Sequence, residues 1–279
     1  MENIMFNKKP SAKKIAFTAA KYFFLVLFLL FFLFPFFVML GRSFMTRFEV
    51  IRELPERLWP EKIVFDGYKT LLADRAFPFG TYLKNTLIIV VLNMLGQAIS
   101  AAICAFGFSK IKFPGRDTVF AIVLATMMLP GIAMQIPLYM IYYKLKWTNT
   151  LLPLVVPAWF GGGVVNIFLI KQYMRGIQND MMEAARIDGA NIVLIFVRII
   201  LPLCKPVVLL VMVNAFFGCW NDYSGALIFL TNKESYTLSL GLYFRFRGGL
   251  SGGVFINEMM AAGVIMSLPC AVVFFIFQR

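Results

Sequence analysis

The 279-residue sequence contains no histidine. That absence removes the commonest general base, the Ser-His-Asp arrangement and H-E-x-x-H zinc chemistry together. Its four cysteines, Cys104, Cys204, Cys219 and Cys270, form no C-x-x-C pair and lie in or beside apolar runs. Neither a zinc site nor a disulfide framework is signalled, and small buried apolar side chains are the expectation. There is no G-x-x-x-x-G-K-[ST] loop to cradle a nucleotide's phosphates. Charge is scarce as well, at 15% of residues. No pair of carboxylates falls inside an apolar run, which argues against an intramembrane aspartyl protease and against a carboxylate proton relay. No catalytic residue, metal or cofactor is expected.

What the chain has is apolar surface. Hydrophobic residues make up 60% of it and the mean hydropathy is +0.79, whereas soluble domains are closer to half apolar. Uncharged runs cover residues 22–41, 85–109, 118–143, 147–170, 206–221 and 259–278. Five of the six runs reach the roughly 20 residues a helix needs to cross the hydrocarbon core. The run 206–221 stops at Asp222 and is completed by 223–232. The expected fold is all-α, a polytopic membrane protein with six transmembrane helices. Residues 1–21 form a cytoplasmic N-terminus and 22–279 the transmembrane domain. Within it, 42–84 is an extracellular loop and 179–202 a cytoplasmic one.

The net charge of +13 raises nucleic acid as a partner, but the basic residues sit in short segments beside the spans and no soluble basic face is available. No nucleic acid is expected; membrane lipid is. Lys8, Lys9, Lys13, Lys14 and Lys21 precede the first run, which is too long for a signal peptide and lacks a small-residue cleavage site. An uncleaved first helix with both termini cytoplasmic follows. On that topology the inside segments carry 14 Lys and Arg against 13 outside, so the short loop 110–117, with Lys110, Lys112 and Arg116, orients the chain better than the total does.

The spans are interrupted in particular places. Gly96, Ser100, Ala101 and Ala105 put small residues on about one face of the second, which suits close helix packing. Pro130, Gly131 and Pro137 break the third, either as a kink or because it lines a pathway. Gly161-Gly162-Gly163 interrupts the fourth and Pro269 lies in the last. The loop 42–84, with Pro55, Pro60, Pro78, Trp59, Phe65, Tyr68 and Phe77, reads as short helical pieces at the outer interface. Residues 237–257, glycine-rich and carrying Arg245 and Arg247, read as an outer loop. Trp220, Asn221 and Asp222 end the fifth span as a polar cluster. Asp222, the carboxylate nearest the apolar part of the chain, either faces the pathway or outer mouth or is a helix-end charge with access to water.

One stretch is polar and ordered between two spans: residues 179–202. Asp180 followed by Glu183 is the pattern of a capping box with Asp180 as N-cap, and Gly189 supplies a left-handed stop. Ile192, Ile195, Phe196 and Ile199 then repeat at helical spacing until Leu201-Pro202.

Glu183-Ala184-Ala185, three residues, Gly189, nine residues, Ile199, one residue and Leu201-Pro202 resemble the EAA signature of permease subunits of binding-protein-dependent ABC importers. Phe113-Pro114-Gly115-Arg116, Met128-Leu129-Pro130, Ile136-Pro137-Leu138-Tyr139, Trp220-Asn221-Asp222 and Tyr236-Thr237-Leu238 resemble the carbohydrate-uptake branch, and within it the smaller, six-helix permease of the maltose type. The resemblance implies a type I importer permease fold in the cell membrane, forming half of a path for an oligosaccharide. It implies three kinds of partner: a second homologous permease completing a heterodimer, a dimer of ATP-binding subunits, and an extracellular solute-binding protein. ATP hydrolysis would belong to the ATP-binding subunits, so this chain would not be an enzyme.

The same resemblance makes 179–202 the loop that docks on the ATPase. Glu183 would be its charged anchor, Ala184 and Ala185 would allow close approach and Gly189 would set the turn. Asp188 and Pro202 would complete the coupling set. The resembled permeases usually continue into a short glycine-containing tail that can reach the ATPase, whereas this sequence reads only to Gln278-Arg279. Either the sequence is cut short or that contact is missing. The resemblance also implies a sugar site supplied mostly by the partner permease. The rival reading, an ion-coupled secondary transporter, would be expected to show an internal repeat and intramembrane ionisable residues. A membrane-embedded enzyme would be expected to show paired carboxylates or histidine.

Overall fold

The computed structural model describes residues 12–52, 58–247 and 256–278. Lys8, Lys9, Pro55 and the glycine-rich 248–255 lie outside the described residues. The described chain is helical, and it divides into two compact units.

The first unit runs to Ala73 and takes in the start of the last helix. Helix α1 (Ala12–Ser43) begins inside the 1–21 segment and is apolar on every side from Tyr22 to Gly41. From Phe17 to Phe34 its large apolar side chains are exposed all round, the pattern of a helix that meets lipid or another chain rather than its own core. α2 (Arg47–Arg52) opens on a genuine capping box: the Thr46 amide donates to Glu49 Oε2 at 2.9 Å and the Glu49 amide donates back to Thr46 Oγ1 at 3.2 Å. α3 (Asp66–Ala73) lies in an aromatic group in which Tyr68 meets the Ser43 hydroxyl at 2.9 Å and Phe44 packs on Phe65 and Tyr68. Between α1 and Phe79 the described residues thus form short helices with ring contacts, Trp59 stacking on Phe37.

The second unit is built on α4 (Phe79–Lys110). Its small face does what its spacing predicts. Ala101 and Ala105 are fully buried, and Ser100 Oγ lies 2.6 Å from the Gly96 carbonyl and 2.9 Å from the Ala158 carbonyl, its one proton shared between them. α4 packs along two later helices, Val164–Arg175 and Lys205–Asn221.

The third span is α5 (Arg116–Ala125), a tight turn at Thr126–Met128, and α6 (Gly131–Lys144), bent by 100°. The break sits at Leu129-Pro130; Pro137 lies inside α6 and does not interrupt it. That corrects the expectation of two breaks, and the reason is local. Pro130 is N-cap to α6 in an extended conformation, while a proline further in can be tolerated when neighbours re-satisfy the freed carbonyl.

The fourth span is α7 (Leu152–Val155), a tight turn at Val156–Trp159, and α8 (Val164–Arg175). Gly161, Gly162 and Gly163 between them all have positive φ, which only glycine adopts at little cost. At Gly162 a Cβ would also strike the Gln97 carbonyl. α9 (Asp180–Ile187) and α10 (Ile192–Ile195) follow; α10 runs through a π-helical turn at Phe196–Ile200 into α11 (Leu201–Leu203). The chain then bends by 76° at Cys204 into α12 (Lys205–Asn221).

α13 (Ser224–Phe229) is a short helix beyond Asp222. The stretch expected as a loop contains α14 (Leu238–Phe246), capped by Thr237, whose side chain accepts the Leu240 amide at 3.3 Å. Arg245 on α14 pairs with Asp74, so this segment is pinned rather than loose. α15 (Ile256–Phe277) is the last span, with Pro269 inside it. In its first turns Glu258 is fully buried and pairs with Arg47 in the first unit. A carboxylate at the end of an apolar run thus lies beside the sixth span as well as the fifth, which corrects the reading of Asp222 as the one near-membrane acid. Among the described residues, four helices are long and apolar enough to span, or up to six with each bent pair counted as one, as the uncharged runs predict.

Candidate functional site: the polar knuckle and the face of the fifth span

α9 has two faces. Met182 and Ala185, three residues apart, are buried and belong to the core formed by α4, α8 and α12, with Phe106, Ile170 and Val211. Asp180, Glu183, Ala184 and Ile187 fall at the complementary spacing and are exposed, Ile187 to 87%. Ala185 is therefore turned into its own chain rather than presented with Ala184, because helical spacing places it over Met182.

The expected capping box at Asp180 does not form. Asn179 occupies the N-cap position with a helical conformation (φ −73°, ψ −25°), and its carbonyl accepts the Met182 and Glu183 amides at 2.8 and 3.1 Å. The helix thus begins one residue early. Asp180 is its first residue, and the Glu183 carboxylate stays free of the chain's own first turn. The Asn179 side chain does not cap either; its Oδ1 accepts from Lys110 Nζ at 2.9 Å.

The C-terminal stop is as the glycine predicts. Gly189 has φ +84°; its amide donates to the Arg186 carbonyl at 3.0 Å and the Ala190 amide to the Ala185 carbonyl at 2.9 Å. These two bonds make the Schellman motif. Asp188 closes the helix in an exposed position. Asn191 then caps α10, its Oδ1 accepting the Leu194 amide at 2.8 Å. Ile195 and Ile200 are fully buried, so the second half of the knuckle is anchored too. Pro202 lies exposed on α11.

Trp220, Asn221 and Asp222 are not gathered into one site. Trp220 is buried and stacks on Phe216, its carbonyl accepting from Ser239 Oγ at 2.8 Å. Asp222 Oδ1 accepts the Gly225 amide at 3.0 Å and the Ser224 hydroxyl at 3.2 Å, the geometry of a carboxylate that starts α13. Asn221 is exposed, its amide donating to the Phe217 carbonyl at 3.0 Å. It shares an exposed face of α12 with Leu210, Asn214 and Gly218.

Asn214 went unread in the sequence although it was visible there, an amide in the middle of an uncharged run. A polar group at that depth faces a bundle interior or water. Ile187 was missed because an exposed apolar residue and a buried one look alike until the helix register is known.

A set of broken apolar helices joined by a solvent-exposed polar knuckle is the build of a multi-pass membrane protein. The comparisons make it specific: residues 97–279 match the model of the family described as binding-protein-dependent transport system inner membrane component, and the chain belongs to that family. It is 32% identical over 255 residues to the inner membrane ABC transporter permease protein YcjP of Escherichia coli K12, covering 91% of this chain and 90% of that protein. It is 32% identical over 222 residues to the galactooligosaccharides transport system permease protein GanQ of Bacillus subtilis 168, covering 79% of this chain and 77% of that protein. In fold it matches a chain of a bacterial ABC transporter that imports the acidic polysaccharide alginate, with a TM-score of 0.83 at 24% identity over 98% of this chain and 99% of that one.

Proposed function

We propose that this permease forms one half of the path for an oligosaccharide and receives the work of ATP hydrolysis through α9. The observation that carries the reading is the division of α9: Met182 and Ala185 hold it to the core while Asp180, Glu183, Ala184 and Ile187 stand free. An apolar side chain beside a small residue and two carboxylates, on a helix stopped at both ends, suits a rigid knob that docks in a partner's cleft. Glu183 is the charged anchor, Ala184 permits close approach, Ile187 fills an apolar hollow, and Gly189, with Asp188, fixes the angle at which the knob leaves the chain. Pro202 ends the unit.

The partners under this reading are a dimer of ATP-binding subunits beneath α9, a second homologous permease beside this one, and a solute-binding protein on the outer face. Both termini and α9 are cytoplasmic, and 42–84 is outside. GanQ's galactooligosaccharides support a carbohydrate cargo. The exposed face of α12, with Asn214 and Asn221, supplies amides that hydroxyl-rich ligands can use, and such amides at membrane depth belong beside water rather than lipid. ATP and the loaded binding protein act on the same state, so each strengthens the other's effect.

The complex, reconstituted with its co-encoded subunits, is expected to import an oligosaccharide only with ATP inside. Collapse of sodium and proton gradients by ionophores leaves the rate unchanged. Uptake that follows an ion gradient and ignores ATP would establish the secondary-transporter reading instead.

A further inference from the structure

α9 is gripped in two different ways. Met182 and Ala185 hold it by apolar contact, which is non-directional and tolerates sliding. Lys110 holds it by hydrogen bonds, which are directional. Its Nζ donates to the Ile177 carbonyl at 2.6 Å and to Asn179 Oδ1 at 2.9 Å. Among the described residues, these are the side-chain hydrogen bonds that reach 177–191 from another helix.

The two ends of this link matter. Lys110 is the last residue of α4, the 32-residue helix against which both α8 and α12 pack. Asn179 is the N-cap of α9, and its carbonyl already takes the Met182 and Glu183 amides. The ammonium is therefore one residue from the first turn of α9, and the Asn179 side chain has given up capping its own helix to meet it. A displacement of α9 that carries 177–179 with it stretches the two bonds of Lys110, is taken up by the flexible lysine stem, or draws the end of α4 along. Lys112 borders the same recess with Glu183 and Arg186 but makes no such bond, so charge alone does not create the link.

We propose that Lys110 is a positioning residue that transmits movement of α9 to the end of the second span, so that α4 follows the ATPase directly. The inference rests on the reading of α9 as the coupling helix.

The test is amide hydrogen exchange on the assembled complex in nanodiscs, without nucleotide and with ATP plus orthovanadate. In the wild type, exchange changes both at 180–190 and at 105–111. Lys110→Met is expected to keep the change at 180–190 and lose it at 105–111. Lys110→Arg restores the second response, and Lys112→Met, the same loss of charge in the same recess, leaves both intact. The proposal is overturned if the wild type shows no change at 105–111, or if Lys110→Met or Lys112→Met fails to separate the two lysines. It is equally overturned if Lys110→Met abolishes both responses, because the lysine would then only hold the loop folded. Glu183→Ala separates the two levels of the argument: if the response at 180–190 survives it, the coupling reading of α9 fails, whatever Lys110 does.

Discussion

The Ala190 amide donates to the Ala185 carbonyl at 2.9 Å, closing α9 across Gly189. The position needs φ +84°, and nothing lies within 4 Å of where a Cβ would sit. A side chain at 189 therefore meets only backbone strain, about 1–2 kcal/mol for an ordinary residue. Gly189→Asn, which tolerates the left-handed region, should leave exchange at 185–190 near wild type. Gly189→Val should loosen it by roughly tenfold without changing insertion in the membrane.

Asp74 and Arg245 tie the stretch before α4 to α14. The Ala76 amide, donating at 2.7 Å, holds the Asp74 carboxyl below the usual carboxylate range; burial opposes this, and the Arg245 guanidinium adds to the lowering. A carboxyl lowered in the fold stabilises it fully above the unfolded value of about 3.9, and that contribution is lost as pH falls through the folded value. Thermal unfolding in detergent should be insensitive to this group from neutral pH to about 5 and should fall below about 4. Asp74→Asn should cost about 1–3 kcal/mol at neutral pH and flatten part of that acid limb.

Asp222 starts α13 through its bond to the Gly225 amide at 3.0 Å. Asparagine supplies the same acceptor, so Asp222→Asn should transport and unfold like the wild type. Asp222→Ala should lose about 1 kcal/mol of stability. A transport defect in the asparagine variant, with unfolding unchanged, would show instead that the carboxylate acts on the pathway.

Much of this was legible before the fold. Long uncharged runs fix membrane spans because a backbone in lipid has few alternatives to a helix, and Gly96, Ser100, Ala101 and Ala105 revealed α4's packing face because only small residues allow such approach. Gly189 was readable because φ is a property of its own residue. The capping box was not, since Asp180 and Glu183 have the spacing of one wherever the helix happens to begin; Thr46 and Glu49 share that spacing and do form it. The link from Lys110 to Asn179 and the burial of Glu258 beside Arg47 join residues 69 and 211 apart in the chain. No local pattern reports such pairs. The helix in 238–246 was hidden by Gly241 within it and by the glycines that follow it, although Thr237 was available as its cap.

The most direct test of the account is Glu183→Ala in the reconstituted complex. Glu183 is exposed and faces away from the core that holds Met182 and Ala185, so the variant should insert and unfold as the wild type does. Stimulation of ATP hydrolysis by the loaded binding protein should fall at least tenfold, on the order of 1.4 kcal/mol or more of lost coupling. Stimulation equal to the wild type, in a complex with all its subunits present, would contradict the assignment of α9 as the joint with the ATPase.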